Sequence, residues 1–229
     1  MILQSWPHYD PHQIDRAIEI LTSGRVNAWT GKETQAFEQE FANWCGSSRS
    51  IAMANGSLAL TAAYSSIGLK PYDEFITTPR TFIATAASGV LLGAKPVFAD
   101  VDYESGCITA NTIEPLINDR TKLITVVHLG GWPADMPSIC NLARSHGISV
   151  IEDCSQAHGA CINGKSVGSF GDIGTWSFCQ DKIISTAGEG GMVTTSNNKL
   201  WEAMWSLRDH GKDYEKSRNT APSNLFRLV

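Results

Sequence analysis

The chain has 229 residues, of which 42% are hydrophobic and 18% are charged, and its formal net charge is −5. This composition is typical of a soluble globular protein with enough chain for one large α/β core or two small ones. The mildly acidic balance offers no basic face for nucleic acid, and no apolar run reaches the roughly 18 residues of a membrane span. The first residues lack the basic and apolar regions of a secretory signal. We therefore predict a soluble, cytoplasmic protein.

The six cysteines are scattered along the chain, and none of them belongs to a C-x-x-C pair. Such spacing favours buried free thiols in a reducing compartment over a disulfide framework or a zinc site. We therefore expect no metal site. The cysteines are Cys45, Cys107, Cys140, Cys154, Cys161 and Cys179.

The chain begins with two predicted helices. Apolar residues recur at helical spacing from Ile14 to Leu21, and Gly24 ends that helix. A second helix is predicted over residues 34–44, because Phe37, Phe41 and Trp44 would share one of its faces.

From residue 50 onward, short strands alternate with helices. We predict strands over residues 50–54, 74–78, 96–101, 123–129, 148–153, 175–179 and 191–195. We predict helices over residues 57–66, 81–92, 112–117, 138–146 and 200–208. This alternation indicates βαβ units and a mostly parallel sheet with right-handed crossovers.

Ligands of open parallel sheets bind outside the carboxyl ends of the strands, and four features of this sequence lie at such ends. The first is Asn55-Gly56-Ser57, between a strand and a helix. Free backbone N–H groups at the start of a helix, together with a serine hydroxyl, can bind an anion. The ordinary alternative is a simple turn with Ser57 as the N-cap of the helix.

The second feature is Asp153, the last residue of an apolar strand. Its carboxylate could pair with a buried cation, or it could stabilise the turn that follows. The neighbouring Glu152 should point to the opposite face of the sheet, because side chains alternate along a strand.

The other two features are Lys182 and Phe82. Lys182 lies between a strand and a Gly-rich stretch, where a lowered pKa and imine chemistry are feasible, although most lysines are solvated surface residues. Phe82 follows Pro79 at the start of a helix, where its ring could stack on a planar group or pack in the core. Taken one by one, these four features do not identify a function.

Taken in order, the motifs resemble the DegT/StrS family of pyridoxal-phosphate (PLP) aminotransferases, which act mostly on nucleotide-linked keto-sugars. The most specific match is GDIGTWSFCQDK at residues 171–182, followed by GEGGMVTT at residues 188–195. Further matches in the same order are ANGS at 54–57, TPRTFIAT at 78–85, GAKPVFAD at 93–100 and IEDCSQAHG at 151–159. The resemblance covers essentially the whole chain.

The resemblance implies a role for each candidate residue. Lys182 matches the lysine that binds PLP covalently and later moves a proton between the substrate carbon and the cofactor. Asp153 matches the carboxylate that pairs with the pyridine nitrogen and keeps it protonated. Phe82 matches the ring that stacks on the cofactor, and Gln156 matches the residue that faces the ring hydroxyl. The phosphate-binding groups match Gly56, Ser57 and Ser177.

The resemblance also implies a fold and an activity. The fold is the large domain of PLP-transferase fold type I, an α/β/α arrangement with a mostly parallel seven-stranded sheet between helices. One branch of the family has histidine in place of the lysine and performs dehydration, so Lys182 favours transamination. We expect transfer of an amino group, with glutamate as donor, to a nucleotide-linked keto-sugar for a surface polysaccharide or a secondary metabolite. The family forms dimers whose active sites use both subunits.

Family members usually continue into a small C-terminal domain, whereas this sequence stops before that segment. We therefore expect residues 1–229 to comprise an N-terminal segment and the large PLP-binding domain, truncated before the C-terminal domain. Two other interpretations stay open at this point. One is an impaired remnant that binds PLP or a partner without turnover, and the other is a different PLP enzyme, such as a desulfurase or a lyase.

Overall fold

The structure of the chain is a computed structural model that describes residues 6–219. Its strands are β1 (Arg49–Met53), β2 (Glu74–Thr77), β3 (Lys95–Phe98), β4 (Thr121–Val127), β5 (Ser149–Asp153), β6 (Cys161–Ile162), β7 (Lys165–Ser166), β8 (Ile173–Ser177) and β9 (Gly191–Thr195). Its helices are α1 (Pro11–Ser23), α2 (Glu33–Cys45), α3 (Gly56–Ile67), α4 (Ala84–Val90), α5 (Ala110–Ile113), α6 (Met136–His146), α7 (Asn198–Arg208) and α8 (Tyr214–Asn219). None of the helices within this described part is long and apolar enough to cross a membrane.

The central element is a seven-stranded sheet with the order β1-β9-β8-β5-β4-β2-β3. Strand β9 is antiparallel to both of its neighbours, and the other pairings are parallel. The predicted mostly parallel sheet of seven strands is therefore confirmed. In the register of the sheet, Asp153 lies opposite both Val127 and Thr175, so β4, β5 and β8 end at one edge.

Apolar side chains cover both faces of this sheet, as a parallel sheet requires. On one face, Ile51, Leu123 and Val193 pack with residues of α3 and α7. On the other face, a cluster around Ile124 packs with α6, and a cluster around Trp176 packs with α2. The sheet thus lies between two helical layers.

The helix boundaries follow local signals. Asp10 and Gln13 form a capping box at the start of α1, and Gly24, at a φ of 68°, ends it as predicted. Helix α4 begins at Ala84 and not at residue 81. A turn around Pro79 is fixed by the Thr78 hydroxyl, which accepts a hydrogen bond from the Arg80 N–H at 3.0 Å.

The hairpin of β6 and β7 was not predicted, although the sequence carries a signal for it. Its turn is Asn163-Gly164, whose φ angles are 50° and 80°. Two consecutive residues with positive φ are typical of the type I′ turn that Asn-Gly favours. The strands have only two residues each, too short for an alternating pattern to be visible.

Candidate active site

A cavity of about 550 Å³ lies at the carboxyl edge of the sheet. Its floor includes the ends of β4, β5 and β8, and its walls come from α3, the turn before α4 and the loop after β8. Seven residues that the sequence singled out line this one cavity, namely Gly56, Ser57, Phe82, Asp153, Gln156, Ser177 and Lys182. The topology therefore brings together residues that are up to 126 positions apart in the chain.

The start of α3 provides free N–H groups at the cavity. The Asn55 side chain is the N-cap and accepts a hydrogen bond from the Leu58 N–H at 2.9 Å, so the alternative of Ser57 as N-cap is wrong. The N–H groups of Gly56 and Ser57 have no acceptor among residues 6–219. A Cβ at position 56 would lie 2.8 Å from that of Ser177, so only glycine allows the helix to approach β8 this closely.

Asp153 places a nearly buried carboxylate on the cavity floor, with 6% of the residue exposed. Its Oδ2 accepts a hydrogen bond from the Thr85 hydroxyl at 2.8 Å. Its Oδ1 accepts from the hydroxyl of Ser155 at 2.6 Å and from its N–H at 3.2 Å, so this oxygen also stabilises the following turn. No cationic side chain within residues 6–219 forms an ion pair with Asp153. The carboxylate is thus oriented by hydroxyls and lacks a countercharge.

Glu152 lies on the opposite face, as strand alternation predicts, and it is fully buried. Its carboxylate accepts hydrogen bonds at 2.8 Å from the backbone N–H groups of Gly168, Phe170 and Gly171. It also contacts His128 Nε2 at 3.1 Å. Because His128 Nδ1 accepts from the Ala134 N–H at 3.2 Å, the ring hydrogen must lie on Nε2 and point to Glu152.

Together with Cys154, these two side chains place possible metal ligands within 4.8 Å of one another. However, the Glu152 oxygens already accept four hydrogen bonds, and His128 uses both of its nitrogens. Burial also raises the pKa of the Cys154 thiol well above its usual value, which opposes thiolate formation. Glu152 and His128 therefore form a buried network in which their polar atoms already have hydrogen-bond partners.

Lys182 is not the solvated surface lysine of the ordinary alternative, because only 19% of its side chain is exposed. Its ammonium lies 3.2 Å from the Asp181 carboxylate, and this hydrogen bond holds the pKa of Asp181 below its usual value. The loop that carries both residues connects β8 to β9 and covers one side of the cavity.

Phe82 and Gln156 complete the predicted set. Phe82 is 67% exposed and lines the cavity, so the alternative of a core phenylalanine is wrong. The Gln156 side-chain oxygen accepts a hydrogen bond from the Gly130 N–H at 2.9 Å, which orients the amide group. Its NH2 group then remains as a donor for a polar group in the cavity.

His158 is a buried imidazole next to the site, with 8% of the residue exposed. Its ring packs against Trp176 and Phe178, at centroid distances of 5.4 and 5.7 Å. Neither ring nitrogen has a hydrogen-bond partner among the described residues. Burial, and to a lesser extent the positive charge of Lys182, lower the pKa of His158 to about 4, so the ring is neutral at pH 7.

The residues that orient the predicted side chains of the site were not predicted from the sequence. Thr85 and Ser155 orient Asp153, and Gly130 orients Gln156. Thr85 is itself supported by Tyr64, whose hydroxyl donates to its carbonyl at 2.7 Å and whose pKa is raised by burial. Thr85 and Ser155 lie inside the matched motifs, which was the only signal for them in the sequence.

Known proteins resemble this chain in sequence and in fold. The DegT/DnrJ/EryC1/StrS aminotransferase family matches residues 7–226. The chain is similar to UDP-N-acetyl-3-dehydro-alpha-D-glucosamine 3-aminotransferase of Acidithiobacillus ferrooxidans, with 48% identity over 181 residues, or 79% of this chain and 49% of the relative. The chain spans about half the length of the curated relatives it matches.

Two solved structures extend the comparison. An aminotransferase from Psychrobacter cryohalolentis has a TM-score of 0.95 and 50% identity, covering 99% of this chain and 57% of that one. NtdA from Bacillus subtilis, solved with bound cofactor PMP, has a TM-score of 0.83 and 29% identity, covering 91% of this chain and 46% of that one. The predicted fold type I architecture is thereby confirmed.

Proposed function

The chain belongs to the DegT/DnrJ/EryC1/StrS aminotransferase family, and on that basis we propose that it forms the cofactor-binding part of a PLP-dependent sugar aminotransferase. The substrate that we propose is a nucleotide-linked keto-sugar, and the proposed donor is glutamate. The relative from Acidithiobacillus ferrooxidans, whose name states a UDP-linked 3-dehydro sugar as substrate, supports this choice. The cytoplasmic location stays a prediction.

The observation that carries the proposal is the Asp153 carboxylate. It is nearly buried, faces the cavity and has no cationic partner within residues 6–219. A buried carboxylate without a countercharge that borders a cavity is stabilised when a cation binds beside it. The protonated pyridine nitrogen of PLP is such a cation, so this part of the site fits the cofactor. When bound, PLP would supply a carbonyl group that carries the amino group from the donor to the keto-sugar and a protonated ring that accepts electrons from the substrate carbon.

The remaining cavity residues fit the other parts of PLP. The free N–H groups of Gly56 and Ser57, at the positive end of α3, and the Ser177 hydroxyl beside them would bind the phosphate. The exposed ring of Phe82 would cover one face of the pyridine ring. The Gln156 NH2 group, held by Gly130, would donate to the ring hydroxyl.

Lys182 would hold the cofactor and move the proton. In this proposal, its Nζ would be the group that holds the cofactor covalently. When free, the Lys182 amine would move a proton between the α-carbon of the donor and the cofactor. Only 19% of the Lys182 side chain is exposed, so most of this side chain is already removed from water.

We further propose that the active protein is a homodimer in which both subunits contribute to each site, as the family resemblance implies. Sedimentation of the protein at several concentrations measures this directly. A monomer that retains full activity at every concentration would contradict this proposal.

Labelling of Lys182 tests the central assignment. The protein should become yellow with PLP, and borohydride should then attach the cofactor to Lys182, as peptide mass mapping would show. Lys182→Ala should lose both signals, whereas Lys122→Ala, at an exposed lysine of β4, should keep them. Borohydride attachment at other lysines, with none at Lys182, would reject the proposal.

Turnover is tested separately. Glutamate should convert the bound cofactor to its pyridoxamine form, and UDP-N-acetyl-3-dehydro-glucosamine is the first acceptor to test. If Lys182 is labelled but no donor converts the cofactor, the chain binds PLP without turnover, and the aminotransferase part of the proposal fails.

A further inference from the structure

The loop that carries Lys182, residues 178–190, is held at its ends by its own backbone. The Phe178 N–H donates to the Gly190 carbonyl at 2.8 Å, and the Gln180 N–H donates to the Gly188 carbonyl at 2.9 Å. Ile184 also packs against the cluster around Trp176. We call residues 178–190 the lysine loop.

Residues 6–10, which we call the N-terminal arm, contact this loop directly. The indole N–H of Trp6 donates to the main-chain carbonyl of Lys182 at 3.1 Å. The Tyr9 hydroxyl accepts a hydrogen bond from the Ala187 N–H at 3.0 Å and lies 3.0 Å from the Ser185 hydroxyl. The arm thus contacts the lysine loop at three positions, although 176 or more residues separate the partners in sequence.

The contact at Ala187 has a second feature. This alanine has a φ of 61°, in the left-handed region that residues with a Cβ rarely adopt. Such a conformation persists only where neighbouring contacts hold it in place. The Tyr9 hydroxyl accepts a hydrogen bond from the N–H of this residue, so the arm supports a strained point of the lysine loop.

The position of the loop determines where the Lys182 amine lies. The carbonyl that Trp6 holds belongs to Lys182 itself, so a shift of the main chain there would move the amine relative to the cavity. Reacting groups must be held within about half an ångström of their productive geometry. Contacts to the main chain of this one residue are therefore suited to positioning its side chain.

We propose that Trp6 and Tyr9 are positioning residues for Lys182, an inference that rests on the proposed function of that lysine. The N-terminal arm holds the lysine loop in the geometry that lets the amine reach the cofactor aldehyde. Neither residue lines the cavity, so they act on the reaction only through the loop.

The test uses Tyr9→Phe, which removes one hydroxyl, and Trp6→Phe, which removes the indole N–H. Tyr103→Phe is the matched control, because Tyr103 is 99% exposed. In the protein without added PLP, amide hydrogen exchange in the lysine loop should be about five-fold faster in each arm variant than in the control. The exchange of β4 and β5 should be unchanged in all three variants.

With PLP, the rate of covalent attachment to Lys182 should fall by roughly three- to ten-fold in both arm variants. The pH at which the PLP–Lys182 bond loses its yellow colour should shift by roughly 0.5 unit. A merely structural contact would leave this pH unchanged.

The inference is overturned if both arm variants match Tyr103→Phe in attachment rate and colour, whether or not loop exchange changes. Failure of the proposed function would give a different experimental result. In that case the unsubstituted protein itself does not attach PLP to Lys182.

Discussion

Glu152 and Asp153 are consecutive carboxylates at the end of β5, and they lie on opposite faces of the sheet. Both are nearly or fully buried. Glu152 accepts four hydrogen bonds, three of them from backbone N–H groups. Asp153 accepts three, two of them from hydroxyl groups, and faces a cavity. Burial of a charge alone therefore does not identify a functional site. The informative combination is a carboxylate that is oriented, lacks a countercharge and borders a cavity.

The largest change in the free energy of unfolding is expected for a substitution of Glu152. Glu152→Gln replaces one charged acceptor oxygen by an NH2 group and leaves buried N–H groups without an acceptor. We expect the free energy of unfolding to fall by about 4 kcal/mol, measured by urea denaturation. Glu202→Gln, at an exposed position of α7, should change it by less than about 0.5 kcal/mol. A Glu152→Gln protein as stable as this control would show that the network is not structural.

The next effect concerns His158, which lies on the same face as Glu152 but has no hydrogen-bond partner among the described residues. Its pKa is lowered from 6.5 to about 4, so the unfolded chain takes up a proton first as the pH falls. The stability contributed by the neutral ring is present above pH 6.5 and is lost as the pH falls toward 4, by roughly 3 kcal/mol in total.

His158→Phe keeps a ring between Trp176 and Phe178 and removes the titration. Urea denaturation at pH 7 and pH 4.5 should therefore show a smaller loss of stability in this variant than in the unsubstituted protein. His146→Gln, at an exposed histidine of α6, should behave as the unsubstituted protein does. An equal acid sensitivity in all three proteins would contradict this prediction.

On the cavity side, Asp153→Asn should affect the reaction more than the fold. The amide oxygen can still accept the hydrogen bonds from Ser155, and the NH2 group can donate to the Thr85 hydroxyl, so we expect the free energy of unfolding to change by less than about 1 kcal/mol. The rate of amino transfer should fall by about 100-fold, or about 2.7 kcal/mol, because the charge that pairs with the cofactor is lost. A loss of stability as large as that of Glu152→Gln would mean that Asp153 has the same structural role as Glu152, which would contradict this prediction.

The smallest predicted effect is that of Thr85→Val, which removes one donor to Asp153 and keeps the shape of the side chain. We expect a five- to ten-fold lower rate of amino transfer, about 1 kcal/mol, measured by steady-state kinetics. Thr22→Val is the control, because Thr22 lies at an exposed position of α1, away from the cavity. Equal effects of the two substitutions would mean that the Thr85 hydroxyl does not orient the carboxylate.

The strand pattern predicted the sheet well, because the strands of a doubly covered parallel sheet are short apolar runs separated by helices. Alternation along β5 also predicted the opposite directions of Glu152 and Asp153. The start of α4 and the two-residue strands of β6 and β7 were missed, since local hydrogen bonds and turn geometry decide them.

The prediction of the site residues depended on a different kind of signal from that of the strands. Asp153, Lys182 and Phe82 each had an ordinary alternative, and only their shared resemblance to one family singled them out. The contacts of Trp6 and Tyr9 with the lysine loop could not be predicted at all, because they join distant segments through one or two atoms.

The central claim, that the Asp153 carboxylate pairs with the cofactor nitrogen, can be measured by nitrogen NMR with PLP labelled at the pyridine nitrogen. The predicted result is a protonated nitrogen in the unsubstituted protein and in Glu202→Gln, and an unprotonated nitrogen in Asp153→Asn. The same nitrogen shift in Asp153→Asn as in the unsubstituted protein would contradict the claim.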